Sequence, residues 1–240
     1  MRLVELFLRE TTEEDRAIIS LSSAIYDYLK KYNGTEESEI HVGKIGELFN
    51  TPLNILDEVG IVLMNNERMR EYLGTEEGKT SLGLWEPGDR DIVLNSDYLQ
   101  SNYLKTTISH ELRHALDDFK SGFKASSSKR YATPKNKQFR NLQNDPYASR
   151  LEYIAQPAEI NARFLQVMHA VTAAVSRAKN MDATKAKSYV EDAFKRNMEN
   201  FHIAELFPEK TASKDYKRLL KRGVDFLNKE LQNMHPAYKK

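Results

Sequence analysis

Not one cysteine occurs among the 240 residues. A disulfide framework, a thiolate nucleophile and a cysteine-based zinc finger are therefore closed to this chain, and its fold has to rest on apolar burial. The length allows that, since 240 residues suit one compact domain, or one domain with a small appendage. Hydrophobic residues at 40% and charged residues at 30%, with 10 Gly and 7 Pro, exclude the collagen-like and wholly disordered classes. Lys plus Arg (36) nearly cancel Asp plus Glu (35), leaving a net charge of +1. A global attraction to nucleic acid or to a membrane is not written into such a balance. Any bound metal must be held by carboxylates and by the six histidines.

No apolar run approaches the length that spans a bilayer. The longest candidate, Phe164 to Val175, is interrupted by Gln166, His169 and Thr172 and flanked by Arg163 and Arg177, so it reads as a buried helix. The opening MRLVELFLRE is broken by Glu5, Arg9 and Glu10 too early for a signal peptide, and the expected location is cytoplasmic.

From Thr11 to Tyr32, the residues Ile18, Ile19, Leu21, Ile25, Tyr26 and Leu29 recur at helical spacing behind an acidic first turn of Glu13, Glu14 and Asp15. Val42 to Asn50 reads as a shorter helix, ended by Thr51-Pro52, and Leu53 to Asp57 as a small one before Gly60. IVLM at 61–64 reads as a buried strand. SLGLW and RDIVLN around Glu86-Pro87-Gly88-Asp89 give a hairpin signal over Ser81 to Asn95. Tyr103 to about Phe119 is the next helix, with Ser121-Gly122 to end it. Lys124 to Asn144 reads as a solvated loop and Asp145-Pro146 as a turn. Helices then follow at about Gln156 to Lys179, opened by Pro157, and at roughly 182–200 and 212–233. The order of helices, small sheet and helices predicts an α+β fold in which helix dominates. Three regions follow, or one compact domain made of all three: an N-terminal helical region at 1–60, a core at 61–180 and a C-terminal helical region at 181–240.

The chemistry is carried by His110-Glu111-Leu112-Arg113-His114, an HExxH pattern inside a predicted helix. Residues four apart share a helix face, so His110 and His114 can offer imidazole nitrogens to one ion, and Glu111 stands beside them where a general base must stand. With six His and 22 Glu among 240 residues, chance yields the pattern in about 1–2% of shuffled chains.

Two histidines do not complete a catalytic zinc site, which needs a third protein ligand. Asp117 and Lys120 occupy the positions where the metzincin continuation would put Gly and His, so that class is excluded. Glu152, Glu159 and the histidines at 169, 202 and 235 remain as candidates. Glu159 is the better placed, in the first turn of the next long helix, although a first-turn Glu also complements a helix dipole. Asp117 and Asp118, one turn past His114, either support a ligand imidazole or form an ordinary solvated pair. His169 reads as a packed helix residue, and His41 carries no signal.

HELRHALDDF followed by YIAQPAEINARF resembles the gluzincin branch of zinc metallopeptidases, most closely the family of the anthrax lethal factor catalytic domain. That family pairs HExxH, then a small and an apolar residue, then Asp-Asp-aromatic, with a Glu ligand on a later helix. The gap from His114 to Glu159 is of the family's size. The resemblance covers about residues 90–170. It implies a minimal zincin-like core, Zn2+ bound by His110, His114 and Glu159, and Glu111 as general base. It also implies a tyrosine oxyanion donor shortly before the Glu ligand. Tyr153 is the nearest match, about one residue out of register, and Tyr147 is the substitute.

The resulting expectation is a zinc-dependent endopeptidase acting on a protein or peptide substrate, with strand Ile92–Leu94 as the sheet edge to which the peptide adds. The alternative is a catalytically silent structural or binding protein of the same fold, for instance a phage virion component. A nucleic-acid binder using Lys124 to Arg140 is the third reading.

Overall fold

The computed structural model describes residues 12–32, 40–48, 54–74, 81–124, 146–207 and 213–234. The architecture is α+β with helix dominant, as the sequence predicts. The chain divides into two units, one of Glu13–Arg130 and one that includes Tyr131–Lys240. That boundary falls inside the span 61–180 read from the sequence as one core.

In the first unit, α1 (Thr12–Leu29) buries Ile18, Leu21, Ile25 and Leu29, the apolar stripe that its periodicity marks out. Strand β1 (Ile40–His41), helix α2 (Val42–Leu48) and a 3-10 turn at Asn54–Leu56 lead into β2 (Gly60–Met64). Helix α3 (Asn66–Leu73) follows, then β3 (Gly83–Glu86) and β4 (Asp91–Asn95). The four strands form one mixed sheet in the order β1-β2-β4-β3, with β2 and β4 parallel and the outer pairs antiparallel. The Pro-Gly hairpin forms as its residues predict, and Leu84 pairs with Val93. Arg90 closes the turn at φ 63, a left-handed value rare for a residue with a Cβ.

One expectation is corrected here. The strand at Ile92–Leu94 is interior, bonded to β2 on one side and β3 on the other. Its run of Ile92, Val93 and Leu94 is buried on both faces, and unbroken apolar runs of that kind belong to inner strands. Among the described residues the outer strands are β1 and β3.

Helix α4 (Asn102–Ser121) packs on β3, β4 and the 3-10 turn. Ser101 caps it by accepting from the Tyr103 N–H at 3.2 Å, and Gly122 ends it at φ 64. Leu104, Ile108, Leu112 and Leu116 are fully buried, each gaining roughly 1.5–3 kcal/mol of transfer free energy before ordering entropy is subtracted.

In the second unit, α5 (Pro146–Ile154) stands where only a turn was expected. Pro146 occupies its first position, which a proline tolerates because no intrahelical donor is lost there. Helix α6 (Pro157–Ala178) packs against α7 (Ala183–Asn200) and α8 (Lys214–Met234), with a 3-10 turn at Ala204–Leu206. Phe164 and Phe194 meet edge to face at 6.3 Å. Gly223 admits α8 to this contact, since a Cβ there would stand 2.6 Å from the Phe194 ring. No described helix is long and apolar enough to cross a membrane.

Candidate metal centre

His110, Glu111 and His114 share one side of α4, and their donor atoms all lie within 4.8 Å of one another. The Nε2 atoms of the two histidines approach to 3.0 Å with the rings nearly perpendicular, at 76°. His110 and Glu111 are buried and His114 is partly exposed. Two imidazole nitrogens this close together beside a carboxylate are a donor set of the kind that can hold a divalent transition metal.

The polar contacts made by the rest of this helix are less visible in the sequence. Arg113, inside the motif, is fully buried. Its guanidinium lies 2.7 Å from Asp117, 3.4 Å from Glu14 and 3.8 Å from Asp15. Lys120 also pairs with Glu14. Asp118 accepts a 2.8 Å hydrogen bond from the Trp85 indole on β3. Asp117 and Asp118 are thus buried and engaged, and the solvated-pair reading of them is corrected. Arg113 and Asp117 stand at i,i+4 on the helix, and that spacing was the one local signal of their pairing.

Glu159 opens α6 in the second unit and is 3% exposed. Tyr153, half exposed near the end of α5, donates a 2.6 Å hydrogen bond to its Oε1. Arg163 lies 3.5 Å from its Oε2, one turn along α6. The structure therefore joins His110, Glu111 and His114 within one unit, and Tyr153 and Glu159 within the other. Glu152 is half-buried on α5. Tyr147 belongs to α5, but its side chain lies outside the description, as do His235 and all of Lys124 to Arg140 beyond Lys124.

His169 is buried on α6, as expected of a packed residue, and His41 is exposed. His202, which carried no particular signal, sits at φ 60 between Glu205, 2.9 Å from Nδ1, and Arg150, 3.1 Å from Nε2. Comparison of the chain with protein-family models, curated proteins and solved structures finds no match.

Proposed function

We propose that the chain is a zinc-dependent endopeptidase in which His110 and His114 hold the metal and Glu111 is the general base. The supporting observation is the 3.0 Å convergence of the two Nε2 atoms, with the Glu111 carboxylate in the same group. Tetrahedral zinc, with Zn–N of about 2.0–2.1 Å, separates two ligand nitrogens by about 3.3–3.4 Å, within a few tenths of this spacing. When bound, such an ion supplies Lewis acidity and lowers the pKa of water.

The protein's own residues do the rest. Burial of His110 and Glu111 limits competing water, and the Glu111 carboxylate accepts the proton of the attacking water and returns it to the leaving amine. The sequence resemblance nominates Glu159 as third ligand and Tyr153 as oxyanion donor. An extended peptide would add at β3, an outer strand among those described, and not at β4.

Glu111→Gln should keep one metal per chain and lose peptide hydrolysis by about 10²–10⁴-fold. Equal cleavage of a peptide library by parent and variant would remove Glu111 from the role of base. Elemental analysis of the purified protein identifies the metal, because the same imidazoles also suit copper, iron and nickel. Glu159→Ala should weaken metal binding by at least about 10–100-fold. An unchanged affinity would pass the ligand role to Glu152.

A second reading is favoured by the partners of Glu159 within its own unit, Tyr153 and Arg163. Under it Glu159 is structural, and the chain is a silent binding or virion protein. Metal content of one per chain without hydrolysis of any peptide in the library would select it.

A further inference from the structure

We propose that the groove between α7 and α8 is a binding site for a small organic cation with an apolar body, of the alkylammonium kind. The site lies wholly within the second unit and is independent of the metal reading above. Both helices pack on α6, and between them lies a concavity of about 490 Å³, within the size range of small-ligand sites. Its floor is apolar: Phe194 and Met198 come from α7, and Leu220, Val224 and Leu227 from α8. Phe194, Met198 and Leu227 are buried, whereas Val224 is 49% exposed. A ligand with an apolar body removes such surface from water, and each CH2 that it buries tightens binding about fourfold.

The polar residues of the groove choose the head group. Glu191, Lys195 and Glu199, four apart along α7, line it. Glu191 has Lys187 at 3.9 Å, and Lys195 has Asp192 at 3.9 Å. Glu199 is the one of the three with no cation paired to it among the described residues. Near it stands Tyr216, at the start of α8, its ring 5.4 Å from that of Phe207. Burial, and then the charge of Glu199, push the Tyr216 pKa above its ordinary 10.0, so the phenol stays neutral. A cationic nitrogen at this end would meet the Glu199 carboxylate, the Tyr216 oxygen and the faces of aromatic rings, all of which favour positive charge. An anionic head would meet Lys195 alone, flanked by Glu191 and Glu199.

The test compares octylammonium, octanol and octanoate, which share one tail and differ in the head, by calorimetric titration of the whole chain. Each is run on zinc-loaded and on chelated protein, so that an amine or carboxylate bound to metal is told apart from one in the groove. Glu199 is exposed, and solvent screening keeps the expected preference modest. Octylammonium should bind roughly 3–10-fold tighter than octanol, and octanoate most weakly, with or without metal. Glu199→Gln should bring octylammonium to the affinity of octanol and leave octanol unchanged. Salt at about 1 M should likewise draw the two together. Val224→Asn, at an exposed position, should weaken all three. Equal or tighter binding of octanoate overturns the cationic assignment, and so does a preference that survives Glu199→Gln. Failure of every probe to bind, or binding that Val224→Asn leaves unchanged, removes the groove as the site. A parent dimer that Val224→Asn dissociates gives the groove to a second copy of the chain and overturns the proposal equally.

Discussion

Tyr153 combines two properties that sequence reading treats as opposites: half of it is exposed, and its hydroxyl is tied to a carboxylate that is almost wholly buried. Replacing it by Phe removes a hydrogen bond to a charged acceptor and leaves Glu159 with less to offset its burial. The expected cost is about 1.5–3 kcal/mol, read as a lower urea midpoint at unchanged slope. A loss below about 0.5 kcal/mol would mean that the hydroxyl does not hold Glu159 in solution. Legibility at this scale depends on where a residue's partner lies. His110 and His114 are legible because four residues bring side chains to one helix face. The bond between Trp85 and Asp118 joins residues 33 apart through the packing of a helix on a strand, and no local pattern encodes it. Asp117 and Asp118 looked like a solvated pair because Asp is seldom buried, and only their partners explain why these two are.

Elements that bury a broad stripe are the ones that periodicity finds. α1, α4, α6, α7 and α8 all begin and end within a few residues of their expected bounds. α3 escapes because it buries only Met69, so its start and stop lie in Asn65, which caps it by accepting from Arg68, and in left-handed Gly74. β1 is two residues long and offers no alternation to read.

Two predictions belong to elements. Gly83 lets β3 approach the helix carrying the histidines, since a Cβ there would lie 2.9 Å from both Thr107 Cγ2 and Leu94 Cδ2. Gly83→Ala should cost about 1–3 kcal/mol by overpacking, read as a lower urea midpoint. Unaltered stability would show that β3 and α4 do not meet so closely.

The second concerns the start of α7, where the Asp182 carboxylate accepts from the Lys185 N–H at 3.0 Å. That hydrogen bond holds the Asp182 pKa below its ordinary 3.8. A folded value below the unfolded one means a contribution that is complete above the unfolded value and is lost as pH falls through the folded one. Asp182→Asn keeps a capping oxygen without the charge. The parent's stability should therefore fall more steeply than the variant's below about pH 4 and run parallel to it above. Parallel acid curves throughout would show that the cap contributes no charge-dependent stability.

At the scale of the whole molecule the chain comprises two units, and their boundary near residue 130 falls in the polar, basic stretch Lys124 to Asn144, which the sequence marks as a loop and not as a division between units. The division makes metal removal informative. The convergent histidines belong wholly to the Glu13–Arg130 unit, so an ion bound there stabilises that unit's folded state by RT ln(1 + [L]/Kd), about 2.7 kcal/mol when free metal is 100 times Kd. Chelation should lower Tm by an amount that grows with the metal concentration of the reference sample. Hydrogen exchange should locate the change: amides of α4 between Ile108 and Asp117 lose protection when metal is removed, because their slowest openings are those that the bound ion opposes. Glu111→Gln removes no histidine and should respond as the parent does, whereas His110→Ala should melt at one temperature with or without chelator. Equal responses from the parent and His110→Ala would place the metal elsewhere in the protein, and the convergence of His110 and His114 would then be a feature of packing alone.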